Sequence, residues 1–321
     1  MGTGRNGGRA IVATGLGQCC WDTLAVVDSY PSPDSKAEAA VWAEQAGGPT
    51  ATALVALARL GIPCRFAGVV GDDDAGSRIR QALDSEGVDG AFLVTRRGGA
   101  SQRAFIMIER GSGRRTIVWR RPTGDPLDPR EVPDAFLAGS SLLLLDGLMA
   151  DASLHAAGRA RSLGIPVMVD AGRMRPGMLD ITRQCDYVVA AEQFFLDLGW
   201  DRTPEHFRGL AADLGAPVVT VTLGAAGSLT WSGNEPFHVP AFTVDAVDTT
   251  GAGDVFHGGY GYGILQGWSV RETVVFASAM AAMKCRQVGA QQGIPRLPDV
   301  SDFLARRNIT VLPNPQTEVS P

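Results

Sequence analysis

Asp248-Thr249-Thr250-Gly251-Ala252-Gly253-Asp254 is the stretch whose residue types and spacing could do chemistry. It follows an apolar run, Phe242–Val247, that reads as a strand, and it opens a run that reads as a helix. Three small residues at a helix start leave backbone N–H groups unpaired and let a ligand come close. Those donors and the helix dipole both favour an anion there. Asp254 falls in the first turn, where a carboxylate can take a proton from a hydroxyl held beside a phosphate. The same residues also describe a glycine-rich turn with Asp254 as an ordinary capping acid, and the stretch alone does not separate the two. Gly258, Gly259, Gly261 and Gly263 follow in the helix, each costing about 1 kcal/mol relative to alanine. Propensity broken this often points to tight packing or a nearby ligand.

The elements that must hold this stretch alternate along the chain. Buried strands are expected at Ile11–Thr14, Phe66–Val70, Leu142–Leu145, Val167–Val169, Tyr187–Val189 and Val218–Val221. Amphipathic stretches lie between them at Ala51–Leu60, Ser77–Glu86, Ala152–Leu163 and Pro204–Leu214. This rhythm predicts an α/β fold, a mostly parallel sheet covered by helices on both faces. Arg103–Glu109 and Arg115–Arg120 break it: with Gly111-Ser112-Gly113 between them they read as a hairpin. Leu24 to Trp42 could add strands beside that hairpin. A small β piece growing from an α/β domain is a candidate lid, with segments at about 22–46 and 98–122. The domain is expected over 10–307, with loose tails at 1–9 and 308–321.

Composition narrows the classes. Net charge is −5 with no long basic run, which argues against a nucleic-acid partner. No apolar run approaches the roughly 18 residues of a membrane helix. Five cysteines with no C-x-x-C spacing read as small buried hydrophobes in a reducing cytoplasm. The four histidines show no metal spacing, and His257, close after Asp254, is expected to pack or cap locally. Gly15-Leu16-Gly17 starts like a dinucleotide fingerprint, but Cys20 stands where a third small residue is needed, and no Walker-type loop occurs. Trp21, Trp42 and Trp119 fall in or near the lid segments and could stack on a ligand or fill the lid interface.

Val247 to Asp254, V-D-T-T-G-A-G-D, resembles the signature of the PfkB/ribokinase family of carbohydrate kinases. Further motifs follow the family's order: Gly47-Gly48 with an alanine-rich helix ending Arg59-Leu60-Gly61, then Gly68-Val69-Val70-Gly71-Asp72-Asp73, and Thr222-Leu223-Gly224-Ala225-Ala226-Gly227. The resemblance implies a ribokinase-like three-layer fold and ATP-dependent phosphorylation of a hydroxyl on a sugar or sugar-derived molecule. A nucleoside kinase, or a non-catalytic binding member of the same fold, remains the alternative. By the same resemblance Asp254 is the base, and the N–H groups of Gly251, Ala252 and Gly253 form the anion hole. Asp22, Gly47, Gly48, Thr52, Asp146 and the lid residue Arg103 would meet the acceptor, and Lys36 could join them. Thr222, Gly224, Gly227 and Gly253 would line the ATP site, with Mg2+ bridging the phosphates. Lids of this family pair between subunits, which implies a homodimer and would cover an otherwise exposed edge.

The chain departs from the pattern in several places. Thr52 stands where the G-G-x-x-x-N motif has asparagine, so the acceptor is not expected to be ribose. The N-x-x-E motif that helps to hold magnesium is missing, and Glu192 is the one acid in the matching stretch. A monovalent cation, K+, could take oxygens of Asp248, Thr250 and Gly289, but Gly293 replaces the serine usual in ribokinases. Gly47–Thr52, the D-V-F-H-G at 254–258 and Lys284-Cys285 are similar to a sulfofructose kinase-like subgroup. Leu148 stands where that subgroup's sulfonate-binding arginine is expected, which weighs against a sulfonate.

Overall fold

The computed structural model describes residues 5–6 and 9–310. Expectations for residues 1–4, 7–8 and 311–321 lie outside the described residues. The first half of the chain forms β1 (Arg5–Asn6), β2 (Arg9–Ala10), β3 (Ala13–Leu16), β4 (Cys20–Val27), β5 (Val41–Gly47), α1 (Pro49–Arg59), β6 (Cys64–Gly71), α2 (Asp74–Ser85), β7 (Val88–Arg96), β8 (Arg103–Glu109) and β9 (Arg115–Arg120). Then come α3 (Asp134–Leu137), β10 (Leu142–Leu145), α4 (Ala150–Ser162), β11 (Val167–Ala171), α5 (Met178–Thr182), β12 (Tyr187–Ala191), α6 (Glu192–Asp197), α7 (Pro204–Asp213) and β13 (Val218–Thr222). β14 (Ser228–Trp231), β15 (Phe237–Val239), α8 (Ala252–Leu265), α9 (Val270–Lys284) and α10 (Leu297–Ala305) complete it.

β10 is four leucines with no exposed surface to speak of, and it lies at the sheet's centre. Side chains alternate across a strand. Leu142 and Leu144 therefore enter the layer of α1, α8 and α9, while Leu143 and Leu145 enter the layer of α4, α6 and α7. Each fully buried leucine contributes about 1.5–3 kcal/mol, so a continuous apolar strand fits only a sheet covered on both faces. That sheet has nine strands in the order β15-β14-β13-β12-β11-β10-β3-β6-β7. From β13 to β7 every pairing is parallel; β14 and β15 add an antiparallel edge. All the parallel strands consequently point their carboxyl ends at one edge, where open α/β sheets bind ligands.

Phe242–Val247 is not a strand. The N–H groups of Val247 and Asp248 both donate to the Cys285 carbonyl, at 2.8 and 3.1 Å, and Phe242 packs edge-on against Phe303 of α10. The apolar residues of this run thus serve a loop laid over the ends of α9 and α10. The glycines of α8 are explained by packing. A Cβ on Gly258 would lie 2.8 Å from the Ala53 carbonyl of α1, and one on Gly259 2.9 Å from Cα of Ala277 in α9. Backbone-to-backbone approach on two sides, and not a ligand, is what this helix gains for its lost propensity.

The Arg103–Arg120 hairpin forms as β8 and β9, and it joins a four-stranded sheet in the order β5-β4-β8-β9. Paired positions share a face, so one face carries Asp22, Gln45, Ala104 and Trp119 in one row, then Leu24, Ile106 and Ile117, then Val26, Ile108 and Arg115. Leu24, Val26, Ile106 and Ile108 pack with Val288 from the main body, which makes this the inner face. The outer face carries Trp42, Phe105 and Val118. Trp42 is 64% and Val118 67% exposed.

Candidate active site

The carboxyl edge of the main sheet collects the acids and hydroxyls that the sequence scattered. Asp170 is the last residue but one of β11, Asp146 follows β10, Glu192 follows β12 and Thr222 ends β13. α8 begins at the same edge. Gly251 is its N-cap with φ +74°, and a side chain there would collide with Ala290. The Ala252 N–H turns back to the Thr249 carbonyl at 3.2 Å. The N–H groups of Gly251, Gly253 and Asp254 have no backbone acceptor among the described residues. Donors left free at a helix start favour an anion, and here they are those of Gly251, Gly253 and Asp254, where the sequence suggested Gly251, Ala252 and Gly253.

The charge of Asp254, in the first turn of α8, is felt by two further carboxylates, Asp22 and Asp170. Burial raises the pKa of Asp254, against the pull of His257, Arg115 and Lys284. Asp22, on the inner face of the small sheet, is pushed up to about 6 by burial, with the Asp254 charge adding to it. Asp170 is also pushed up to about 6 by burial, with Asp254 and Asp146 adding and His257 opposing. His257 ties the group together. Its Nδ1 meets the Gly253 carbonyl at 2.6 Å, and its Nε2 meets the Val189 carbonyl at 3.1 Å and Asp170 at 3.5 Å. It anchors the first turn of α8 to β12, the local packing role expected of it.

The acceptor residues divide. Gly47 ends β5 beside Asp22 and leaves room for its carboxylate; a Cβ there would overlap Asp22. Gly48 is the N-cap of α1. Thr52 is buried in α1, and its hydroxyl meets the Gln291 amide at 3.4 Å. Asp146 is already committed: Oδ2 accepts from the Gln18 N–H at 2.6 Å and the Thr50 hydroxyl at 3.0 Å, and Oδ1 accepts from the Leu148 N–H at 3.0 Å. It fastens the loop after β3 to the start of α1. Arg103 pairs across to Trp21 and Arg120, on the sheet face opposite Asp22, and its charge acts on Asp73. Lys36 is exposed in the loop between β4 and β5.

On the nucleotide side, Thr222 pairs with Ala191, which brings Glu192 next to the loop carrying Gly224 and Gly227. Both glycines have positive φ, and at Gly227 a Cβ would strike the Val239 backbone. Glu192 pairs with Arg202 at 2.8 Å. An ion pair this exposed is worth about 0–1 kcal/mol, so the carboxylate stays exchangeable. Among the described residues no group of three or more His, Cys, Asp or Glu is arranged to hold a metal.

A family model described as pfkB family carbohydrate kinase matches residues 14–297. The chain belongs to the pfkB carbohydrate kinases. It is therefore a phosphotransferase with an alcohol group as acceptor. It is 30% identical over 291 residues to an aminoimidazole riboside kinase of Salmonella typhimurium, covering 82% of this chain and 89% of that one. To an ATP-dependent ribose-1-phosphate kinase of Halopiger xanaduensis it is 27% identical over 296 residues, covering 91% and 97%. A putative ribokinase from Agrobacterium tumefaciens superposes with a TM-score of 0.84 at 25% identity, covering 93% of this chain and 98% of that one. The ribokinase-like fold expected from the motifs is the fold observed.

The structure brings to this kinase's site several residues that sequence reasoning missed. Arg115 Nη1 donates to the Thr249 hydroxyl at 2.7 Å, and that hydroxyl donates to the Gly113 carbonyl at 3.3 Å, so the hairpin touches the loop before α8. Gln45 shares a row with Asp22, and neither atom of its buried amide has a partner among the described residues. Asp170 could have been suspected as an acid near the end of an apolar strand. Nothing in the spacing pointed to Arg115 or Gln45, which reach the site only through the register of the small sheet.

Proposed function

We propose that the chain transfers the γ-phosphoryl group of MgATP to a hydroxyl of a sugar-like acceptor, with Asp254 as general base. The observation that carries this reading is the start of α8, where unpaired N–H groups and a half-buried carboxylate adjoin within one turn. The nucleotide would lie along the Thr222–Gly227 loop, its γ-phosphate against the free N–H groups. Magnesium would come with the phosphates and keep most of its water, with Glu192 and Asp170 as the acids within reach of that region. The acceptor would lie between α8 and the inner face of the small sheet, its hydroxyls bonding to Asp22 and the Gln45 amide.

Asp254 takes the hydroxyl proton as the oxygen attacks phosphorus in line; a new O–P bond forms, and the bond to the ADP oxygen breaks. The raised pKa of Asp254 makes it a stronger base than a free aspartate once ionised. The N–H groups stabilise the charge on the phosphoryl oxygens. Closure of the small sheet, as a lid formed by 22–46 and 98–122 on the 10–307 domain, would exclude water. Its exposed outer face, with Trp42, Phe105 and Val118, favours a homodimer formed through the lid. Five free, buried thiols agree with a reducing cytoplasm. A nucleoside acceptor is the second reading. It is favoured by Trp119, which shares a row with Asp22 and is 47% exposed, so that a base could stack on it.

The test is ADP release with MgATP against neutral ketoses and aldoses, sugar phosphates, sugar acids, sulfofructose and nucleosides. Turnover with one acceptor should fall by about 10²–10⁴ in Asp254→Asn while ATP affinity changes little. Near-normal turnover in that variant would refute the role of Asp254.

A further inference from the structure

Lys284, the last residue of α9, has no solvent-exposed surface. Its ammonium donates to the main-chain carbonyl of Asp248 at 2.8 Å and lies 3.9 Å from the Asp248 carboxylate, itself fully buried. That carboxylate is already engaged: Oδ1 accepts the Thr250 N–H at 2.8 Å and Oδ2 the Gly289 N–H at 2.7 Å. These are the residues from which a monovalent cation was expected to take its oxygens. Position 293 has no hydroxyl to contribute, and a Cβ there would stand 2.6 Å from the Lys284 carbonyl. The residues around Asp248 fit a free cation poorly, because an ammonium of the same charge already takes the Asp248 carbonyl and two N–H groups hold its carboxylate.

We propose that the Lys284 ammonium is a covalently held replacement for a monovalent cation, fixing the Asp248–Gly251 turn that shapes the anion hole. A second cation beside it would meet like charge in a buried place where Asp248 is already engaged, with the Thr250 hydroxyl the nearby group that has no partner among the described residues. The tether also removes the entropy cost of capturing an ion. Burial pulls the lysine's own pKa down, and the charge of Asp248 opposes that in part. Lys284 touches neither nucleotide nor acceptor, so it is a positioning residue. The inference rests on the kinase reading for its effect on nucleotide binding, but not for the occupancy of the site itself.

The experiment uses the full chain, as wild type, Lys284→Ala and Lys284→Met, in potassium chloride and in choline chloride at equal ionic strength. Two quantities are read: the thermal midpoint and the MgATP affinity by calorimetry. For the wild type both should be the same in the two salts. For Lys284→Ala, MgATP affinity should drop by about tenfold in choline, within the usual range for coupled sites, and potassium should restore it. Lys284→Met fills the space without the charge and should not be restored. A wild type whose midpoint rises and whose affinity tightens in potassium overturns the proposal, as does a Lys284→Ala variant that potassium leaves unchanged. If Lys284→Ala does not fold, the comparison of salts on the wild type decides alone. Absence of MgATP binding in either salt would sink the kinase reading, and the midpoints would still decide the cation.

Discussion

Asp22→Asn should make the protein more stable at neutral pH while damaging its function. Asp22 is 6% exposed and its pKa stands at about 6 against an ordinary 3.8, chiefly through burial and then through Asp254. A carboxyl raised in the folded state binds its proton more tightly there than in the unfolded chain. Its favourable contribution is therefore complete below pH 3.8 and is lost as pH rises through about 6. At about pH 7.5 the ionised group costs on the order of 3 kcal/mol relative to acid conditions. Asparagine keeps the shape and cannot ionise. The thermal midpoint of the variant should exceed that of the wild type by on the order of 5 °C at about pH 7.5. The gap should close at about pH 4, where the wild-type carboxyl is protonated in the fold. Scanning calorimetry across pH measures this, with circular dichroism to establish that both chains are folded. The same change should raise the acceptor KM by about 10–100-fold, since a hydrogen bond to a charged group is worth about 1.5–3 kcal/mol. A variant no more stable than wild type at neutral pH would refute the claim that Asp22 is held at a cost for binding.

Three further outcomes are expected. Arg115→Ala removes the hydrogen bond to Thr249 and a positive charge that acts on Asp254; kcat/KM should fall by about 10–100-fold, and the acid limb of its pH profile should move to higher pH. Gly251→Ala forces a side chain into φ +74° against Ala290; the strain of about 1–2 kcal/mol or more should weaken MgATP binding in calorimetry, and unchanged affinity would count against the anion hole. Val118→Glu puts a charge on the outer face of the small sheet and should turn a dimer into a monomer in light scattering without unfolding it; a wild type that is already monomeric would refute the assembly.

What was legible in the sequence was whatever is encoded locally. The parallel strands announce themselves as short apolar runs because a strand covered on both faces has no polar alternation, and β10 matches its predicted bounds. The hairpin was visible from its glycine turn, and the start of α8 with its unpaired N–H groups from its glycines. The run at Phe242–Val247 misled because apolar residues packing under a loop look like those of a strand; only the donation of Val247 and Asp248 to Cys285 separates the two. Asp146 carries a second job that its spacing did not show: three protein donors use its oxygens at the carboxyl end of the strand.

The charges that complete the site were the least legible, and the reason is distance along the chain. Arg115 meets Thr249 across 134 residues, and Lys284 meets Asp248 across 36. Neither spacing has a helical or strand period, so no pattern in the sequence can register the pair. Their burial still leaves a trace. A lysine that closes a helix, V-R-E-T-V-V-F-A-S-A-M-A-A-M-K, would ordinarily be read as its solvated C-terminal charge, favourable to the helix dipole. Its zero exposure reverses that reading, because a buried ammonium persists only where fixed oxygens repay its lost hydration. At Lys284 those oxygens belong to the residue that begins the anion-hole turn, so the cost of burying the charge is recovered in the geometry that phosphoryl transfer needs.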